Sequence, residues 1–304
     1  MHHVLLAVDG SKASLQAAWL LARLPYPSRY ELTVARIIEV PPLPNPLRSA
    51  EVIDRHYRQE KYAAAETLAE VSAMFDGARV RIDNIIDRGP VGERLVQIGE
   101  QIGADLIVVG ATGRSQISRI LLGSVSDHVA THARCSVLVV RPRAIGERDQ
   151  PLEICMAYQK DSPLALREIA DIRWWSSTRL HVLSVLPFSE GMFAAPRDRA
   201  EVVGQYEADL DDARLQLAAV APAIKMHLAE NEHVGEEIVR FAEQRDIDVL
   251  VVGETQRDNL PRFLLGSTSR YVLRHAPCSV WIGRPALCKT NPEVSPAIQQ
   301  SLAR

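Results

Sequence analysis

Short apolar runs rich in β-branched residues alternate with longer stretches of helical character along this chain. The run from Leu106 to Val109 is too short for an ordinary helix and stops at Gly110, a pattern typical of a buried parallel strand. Strands are predicted over Val4 to Val8, Leu32 to Val40, Val80 to Ile86, Leu106 to Val109 and Val137 to Val140. Helices are predicted from Ser11 to Leu24, Ala50 to Phe75 and Val91 to Ile102, and a further one begins near Gly123. This alternation with short links predicts an α/β fold with a parallel, doubly wound sheet.

The stretch from Asp105 to Pro142 recurs without a gap from Asp248 to Pro285. A chain of 304 residues is also long for one core and comfortable for two. We therefore expect tandem domains over residues 1–142 and 152–285, a linker over 143–151 and a tail over 286–304. In the second copy, strands are predicted over Ile154 to Tyr158, Arg179 to Leu186 and Ile224 to Leu228, and helices from Ser162 to about Trp174, Asp198 to Val220 and His233 to Gln244.

The strand that ends at Gly110 leads into a glycine-punctuated loop and then into a helix. The spacing Gly110-x2-Gly113-x9-Gly123-Ser124 places the free N–H groups of a first helical turn beside bare backbone, which suits a phosphate. Ser124 is expected to cap the helix, because Asp127 completes an S-x-x-D spacing. No Gly-Lys-Ser/Thr follows the glycines, so the P-loop pattern is excluded, and the Rossmann spacing is absent too. Glycines that serve only turns remain the alternative.

Asp9 lies in the turn after the first strand, at the carboxyl edge where open parallel sheets bind ligands. A plain turn or cap residue is the alternative for Asp9. The second copy has Gln256 where the first has Gly113. Asp9 aligns with either Tyr158 or Asp161, and aligning the apolar strands favours Tyr158. The sequence thus predicts one competent site, in the N-terminal copy, and one degraded site.

Composition narrows the classes of partner. The net charge is −3, with 24% charged and 47% hydrophobic residues, and no dense Lys/Arg cluster indicates nucleic acid. The apolar runs are too short for a membrane span, and the N-terminus lacks the features of a secretory signal. The 4 cysteines show no metal or disulfide spacing, which favours a reducing cytoplasm.

Three segments together resemble the universal stress protein family in its tandem two-domain form. They are VDGS at residues 8–11, the glycine spacing from Gly110 to Ser124, and the closing strand CSVLVVRP, which is repeated in the second copy as CSVWIGRP. The resemblance implies a five-stranded, nucleotide-binding alpha-hydrolase-like domain that holds ATP, with Mg²⁺ as a candidate companion. By position it implies that Asp9 lies near the adenosine and that the backbone of Ile37 meets the adenine. It also implies a ribose and phosphate site made by Gly110, Gly113, Gly123 and Ser124 and flanked by Val109, Arg114 and Val125.

The family also pairs through its last strand. The resemblance therefore implies that Val137 to Val140 pairs with Val280 to Gly283 inside one chain, as a pseudo-dimer, and leaves further homodimerisation open. This pairing would cover two sheet edges that are otherwise exposed.

Three functions fit these features. The leading one is an ATP-binding stress-response or signalling protein, in which nucleotide occupancy biases the loop from Ala111 to Leu122 and hence the surface for an unknown protein partner. The second is a slow ATPase or autophosphorylating enzyme, in which Asp9 and Asp127 help to hold Mg²⁺ and a loop serine, Ser115 or Ser118, accepts phosphate; the sequence offers no dedicated general base. The third is a nucleotide-free scaffold that docks partners through Trp174-Trp175, although packing of these rings against the neighbouring copy is favoured.

Overall fold

The computed structural model describes residues 2–25, 29–39, 49–111, 122–142, 151–188, 196–254 and 265–285. The predictions that concern Gly113, Arg114, Ser115, Ser118, Gln256, nearly all of the linker and the tail over 286–304 lie outside these residues. Among the helices within these ranges, none is both long and apolar enough to cross a bilayer.

Both halves alternate strands and helices as expected, with boundaries that differ by a few residues. The first half contains β1 (His3–Ala7), α1 (Lys12–Arg23), β2 (Tyr30–Ile38), α2 (Ser49–Ala73), β3 (Val80–Arg88), α3 (Val91–Gln101), β4 (Leu106–Gly110), α4 (Ser124–His132) and β5 (Ser136–Val140). The second half contains β6 (Glu153–Ala157), α5 (Leu164–Ala170), β7 (Arg179–Leu186), α6 (Pro196–Leu217), β8 (Ile224–Glu230), α7 (Val234–Gln244), β9 (Val249–Gly253), α8 (Ser267–His275) and β10 (Ser279–Gly283).

All ten strands belong to one sheet, in the order β3-β2-β1-β4-β5-β10-β9-β6-β7-β8. The strands within each half are parallel, and the halves meet where β5 pairs with β10 in the antiparallel sense. The register sets Leu138 opposite Trp281 and Val139 opposite Val280. The predicted fold and the predicted pairing of the last strands are therefore confirmed, and the chain is an internal pseudo-dimer.

Helices cover both faces of this sheet, and each apolar layer crosses the junction between the halves. One layer packs α1, α2, α5 and α6 against the sheet, and the other packs α3, α4, α7 and α8. Trp281 is the largest fully buried side chain, and it lies in the first layer beside the junction. Because the central strands are buried on both faces, their sequences are continuous apolar runs instead of alternating ones.

The helix α5 is shorter than predicted, since it ends at Ala170 and not near Trp174. The backbone N–H of Trp174 bonds to the carbonyl of Val220 (2.9 Å), and its indole N–H bonds to the carbonyl of Ile169 (3.0 Å), so this residue is held outside the helix. Trp174 is buried, whereas Trp175 is 58% exposed and donates its indole N–H to the carbonyl of Arg23 in the N-terminal half (3.2 Å). Trp175 thus reaches the other half through one hydrogen bond, whereas these bonds of Trp174 stay within its own half, so the packing of both rings between the copies stays a prediction.

Candidate functional site

A cavity of about 510 Å³ lies at the carboxyl edge of the N-terminal half of the sheet, between β1, β2, β4 and the start of α4. Its lining contains the predicted site residues that the structure describes: Asp9, Ile37, Val109, Gly110, Gly123, Ser124 and Val125. Residues distant in the sequence therefore meet in one concave site. This edge is where open parallel sheets bind their ligands.

The turn after β1 is held by a set of local hydrogen bonds. The backbone N–H of Ser11 donates to Oδ1 of Asp9 (2.9 Å), and Oγ of Ser11 accepts from the backbone N–H of Ser14 (3.3 Å) as the cap of α1. Burial raises the pKa of Asp9, but hydrogen bonds from Ser11 and Ser14 and the charge of Arg36 lower it by more, so the net pKa lies below the ordinary value. Asp9 is therefore an ionised acceptor in the cavity wall at neutral pH.

The start of α4 differs from the prediction in one respect. Gly123 is the cap residue, Ser124 is the first helical residue, and no side chain makes a capping hydrogen bond. The expected cap by Ser124 is wrong, because the chain enters the helix one residue earlier. Oγ of Ser126 donates instead to the carbonyls of Ala111 (2.8 Å) and Gly123 (2.9 Å). A first turn without a side-chain cap leaves N–H groups and the positive end of the helix dipole beside the cavity.

The absence of a Cβ at Gly110 has a different reason from the one that the sequence suggested. A Cβ there would lie 2.9 Å from the carbonyl carbon of Ala13 and 3.1 Å from the backbone nitrogen of Ser14, which is in α1. The second copy repeats this feature, because a Cβ on Gly253 would lie 2.7 Å from Oγ of Ser162. The glycine at the end of both strands therefore serves the close packing of helix on sheet, and it does not by itself indicate a ligand.

Sequence reasoning missed three charged residues in the wall of the cavity, namely Arg36, Glu39 and Glu60. Arg36 is 5% exposed, and its guanidinium lies 3.7 Å from the carboxylate of Glu60 in α2. One signal was available in the sequence, since Arg36 interrupts the apolar run from Val34 to Ile38 in β2. An arginine in such a run is expected to be buried, and buried arginines are unusual.

Backbone hydrogen bonds give the true correspondence between the copies. The N–H of Val8 bonds to the carbonyl of Ala35, and the N–H of Tyr158 bonds in the same way to that of Leu183. Tyr158 is therefore equivalent to Val8, and Gln159 is equivalent to Asp9. The predicted match of Tyr158 with Asp9 is wrong by one residue, because the apolar runs alone do not fix the offset of the turn.

The same registers show what else the second copy lacks. Ser184 stands at the position of Arg36, two residues before the end of its strand in both copies. Glu254 stands at the position of Ala111, since their N–H groups bond to the equivalent carbonyls of Gly283 and Val140. The second copy therefore lacks counterparts of the Asp9 carboxylate and of the Arg36 cation.

Side chains of the metal-binding types and thiols also occur in the described part of the chain. No group of three or more His, Cys, Asp and Glu residues is placed to hold a metal ion there. Cys135, Cys155 and Cys278 are buried, as expected of small structural side chains.

A duplicated, doubly wound α/β chain with a cavity at the carboxyl edge of one half has the architecture in which open parallel sheets bind their ligands. Residues 1–141 and 154–284 each match the universal stress protein family, and the chain belongs to that family. A universal stress protein of Mycobacterium tuberculosis is 26% identical over 293 residues, which cover 93% of this chain and 97% of that protein.

Solved structures show the same fold. The crystal structure of a universal stress protein from Archaeoglobus fulgidus has a TM-score of 0.62 at 21% identity, and covers 94% of this chain and 97% of that one. A universal stress protein crystallised in complex with cAMP is 27% identical over 45% of this chain, with a TM-score of 0.31. That likeness spans less than half of the chain and does not define a ligand for it.

Proposed function

We propose that the N-terminal domain binds one adenine nucleotide, ATP foremost, and that the protein acts as a nucleotide-responsive stress or signalling protein in the cytoplasm with a protein partner. The observation that carries this proposal is the cavity of about 510 Å³ that unites Asp9, Ile37 and the start of α4. Its volume lies within the usual range of small-molecule pockets.

The polarity of the cavity gives the orientation of the ligand. The uncapped start of α4 offers N–H groups and a positive dipole end, which favour the phosphates. The wall formed by β1, β2 and α2 holds the carboxylates of Asp9, Glu39 and Glu60 and one cation, Arg36. Its net charge is therefore negative, which disfavours phosphates there, and the carboxylates can accept hydrogen bonds from hydroxyl or amino groups. A nucleoside at that wall with its phosphates towards α4 satisfies both ends.

A role for Mg²⁺ receives partial support from the described residues. Of the carboxylates proposed for it, Asp9 lines the cavity, and its pKa below the ordinary value keeps it ionised as a magnesium ligand must be. Asp127, in the first turn of α4, is absent from the described lining.

Titration calorimetry with ATP, ADP, AMP and adenosine tests the proposal. We expect one site per chain, with adenosine weaker than the nucleotides because α4 acts on the phosphates. Asp9→Ala should weaken binding by about 10-fold or more, as expected when a charged hydrogen-bond acceptor is removed. Gln159→Ala, the equivalent change in the second copy, is the matched control and should stay within about twofold.

Three results would refute this assignment. They are an absence of nucleotide binding, equal affinity for ATP and adenosine, or a loss with Gln159→Ala that matches the loss with Asp9→Ala. Circular dichroism and unfolding midpoints of both variants show whether a lost titration reflects lost folding. Phosphate release measured on the same samples distinguishes a binding protein from a slow ATPase.

A further inference from the structure

Two arginines reach across the junction of the halves in a reciprocal way. Arg284, just after β10, donates from Nη1 to the carbonyl of Ala133 (2.8 Å) and from Nη2 to that of Ala130 (2.6 Å), at the end of α4. Arg141, just after β5, donates from Nη2 to the carbonyl of Leu273 (2.7 Å) at the end of α8. Each half thus supplies donors to last-turn carbonyls that have no partner inside their own helix.

The contacts made by Arg284 and by Arg141 differ at one position, where the C-terminal half has a buried carboxylate, Glu254. Nε of Arg284 lies 3.0 Å from Oε2 of Glu254, and their side chains are only 3% and 9% exposed. The equivalent position in the N-terminal half is Ala111, which offers no carboxylate to Arg141. Replacing a buried pair with apolar groups often costs no stability, so its presence is better explained by the geometry that it imposes than by the energy that it adds. The guanidinium of Arg284, which bonds to the end of α4, is therefore also bonded to the carboxylate of Glu254. The guanidinium of Arg141, which bonds to the end of α8, has no carboxylate at the equivalent position.

The helix α4 is short, and its two ends have different tasks. It has 9 residues, so its length is about 13 Å. Isolated helices of that length are marginal in water, so the order of α4 depends on its contacts. Its last turn bonds to Arg284, while Gly123, Ser124 and Val125 at its start line the cavity. Because α4 is short, a shift of the end that Arg284 holds would also move the end that lines the cavity.

We propose that the Glu254–Arg284 pair of the C-terminal domain positions α4, and thereby sets the affinity of the N-terminal cavity for its anionic ligand. The inference rests on the proposed function, since it concerns the same site. It gives the C-terminal domain a positioning role in ligand binding by the N-terminal domain, and this role requires no ligand bound to the C-terminal domain. Glu254 and Arg284 act through α4, so they are positioning residues.

Titration calorimetry with ATP on conservative variants tests this role. Arg284→Lys keeps the charge but loses the fork that bonds two carbonyls and a carboxylate together. Glu254→Gln keeps the shape and an acceptor oxygen but removes the charge. Both should weaken ATP binding by about 2- to 30-fold, the usual span of coupling through a packed element. Arg141→Lys removes the mirror contact on α8, and it should leave ATP affinity within about twofold.

Amide hydrogen exchange supplies a readout without nucleotide. Arg284→Lys should accelerate exchange in α4 more than in α8, and Arg141→Lys should do the reverse. Unfolding midpoints of all variants separate a general loss of stability from a local loosening of α4.

The outcomes distinguish the inference from the proposed function. If the wild type binds no nucleotide but Arg284→Lys loosens α4 selectively, the positioning of α4 stands and the proposed ligand is wrong. If the wild type binds ATP and the Arg284 and Glu254 variants bind it equally well, the inference is overturned. It is also overturned if Arg141→Lys weakens ATP binding as much as Arg284→Lys does.

Discussion

Glu168 makes the stability of this protein depend on pH in a predictable direction. It lies in α5, and its Oε1 accepts a hydrogen bond from Oγ of Ser136 in β5 across the junction (2.5 Å). Oγ of Ser136 accepts in turn from the backbone N–H of Arg284 (3.0 Å). Burial raises the pKa of Glu168 to about 7, the nearby charge of Asp171 adds to the rise, and the bond from Ser136 opposes it. A pKa of about 7 means that this partly buried carboxyl gains or loses its proton near neutral pH.

The size and sign of the effect follow from proton linkage. A rise from the ordinary 4.5 to about 7 corresponds to about 3 kcal/mol, at 1.36 kcal/mol per pKa unit. The folded protein binds this proton more tightly than the unfolded chain does. Stability from this group is therefore complete below pH 4.5 and falls as the pH rises to about 7, above which it stays low. Glu168→Gln keeps the shape of the side chain and does not titrate, so its stability relative to the wild type should increase over the same interval.

Urea unfolding of the wild type and of Glu168→Gln between about pH 4 and pH 8 measures this difference. We expect the variant to match the wild type at the acidic end and to exceed it by up to about 3 kcal/mol at the alkaline end. Glu66→Gln, at an exposed position of α2, is the control and should show no such trend. A difference for Glu168→Gln that stays constant across the interval, or that has the opposite slope, would show that Glu168 does not hold a proton in the folded protein.

Three further predictions concern packing and burial. Gly110→Ala should lower the free energy of unfolding by about 1–3 kcal/mol, because its Cβ would lie 2.9 Å from the backbone of Ala13, which cannot move alone. Gly253→Ala should cost less, since the atom at 2.7 Å is the hydroxyl of Ser162, which can rotate; denaturation curves that rank the two variants the other way would contradict this. Burial raises the pKa of Cys135 to about 12, so an aromatic disulfide reagent should label this thiol at a rate limited by unfolding, and fast labelling of the folded protein would count against a structural role.

The fold was predictable because its signals are local and repeated. Runs such as Leu106 to Val109 show strand length and β-branched content, and the recurrence of the whole stretch shows the duplication. The pairing of β5 with β10 came from the family resemblance, because no local pattern tells which strand a buried edge meets. The end of α5 was not predictable, since it depends on bonds that Trp174 makes with Val220 and Ile169 in the folded state.

The location of the candidate site was predictable from the sequence, but several of the side chains that determine its chemistry were not. Chain order alone puts Asp9 and the start of α4 at one edge of a parallel sheet. The burial of Arg36 and its approach to Glu60 depend on where α2 packs, which the sequence does not specify. The reason for Gly110 was also hidden, because a missing Cβ can serve a ligand or a neighbouring helix, and only the atoms around it decide.

Some exchanges between equivalent positions remove charge at the carboxyl edge of the sheet, and others add it beside the junction of the halves. The C-terminal copy has neutral residues, Gln159 and Ser184, where the N-terminal copy has Asp9 and Arg36. It adds Glu254 and Glu168 beside the junction, and α1, the counterpart of the helix that carries Glu168, has no acidic residue at all. Buried charges are costly unless they are paired or protonated, so they persist where a partner group is fixed nearby. Both added carboxylates have such a partner, one in Arg284 and one in Ser136 across the junction. This redistribution agrees with the proposal that the C-terminal copy supports the cavity of its neighbour through α4.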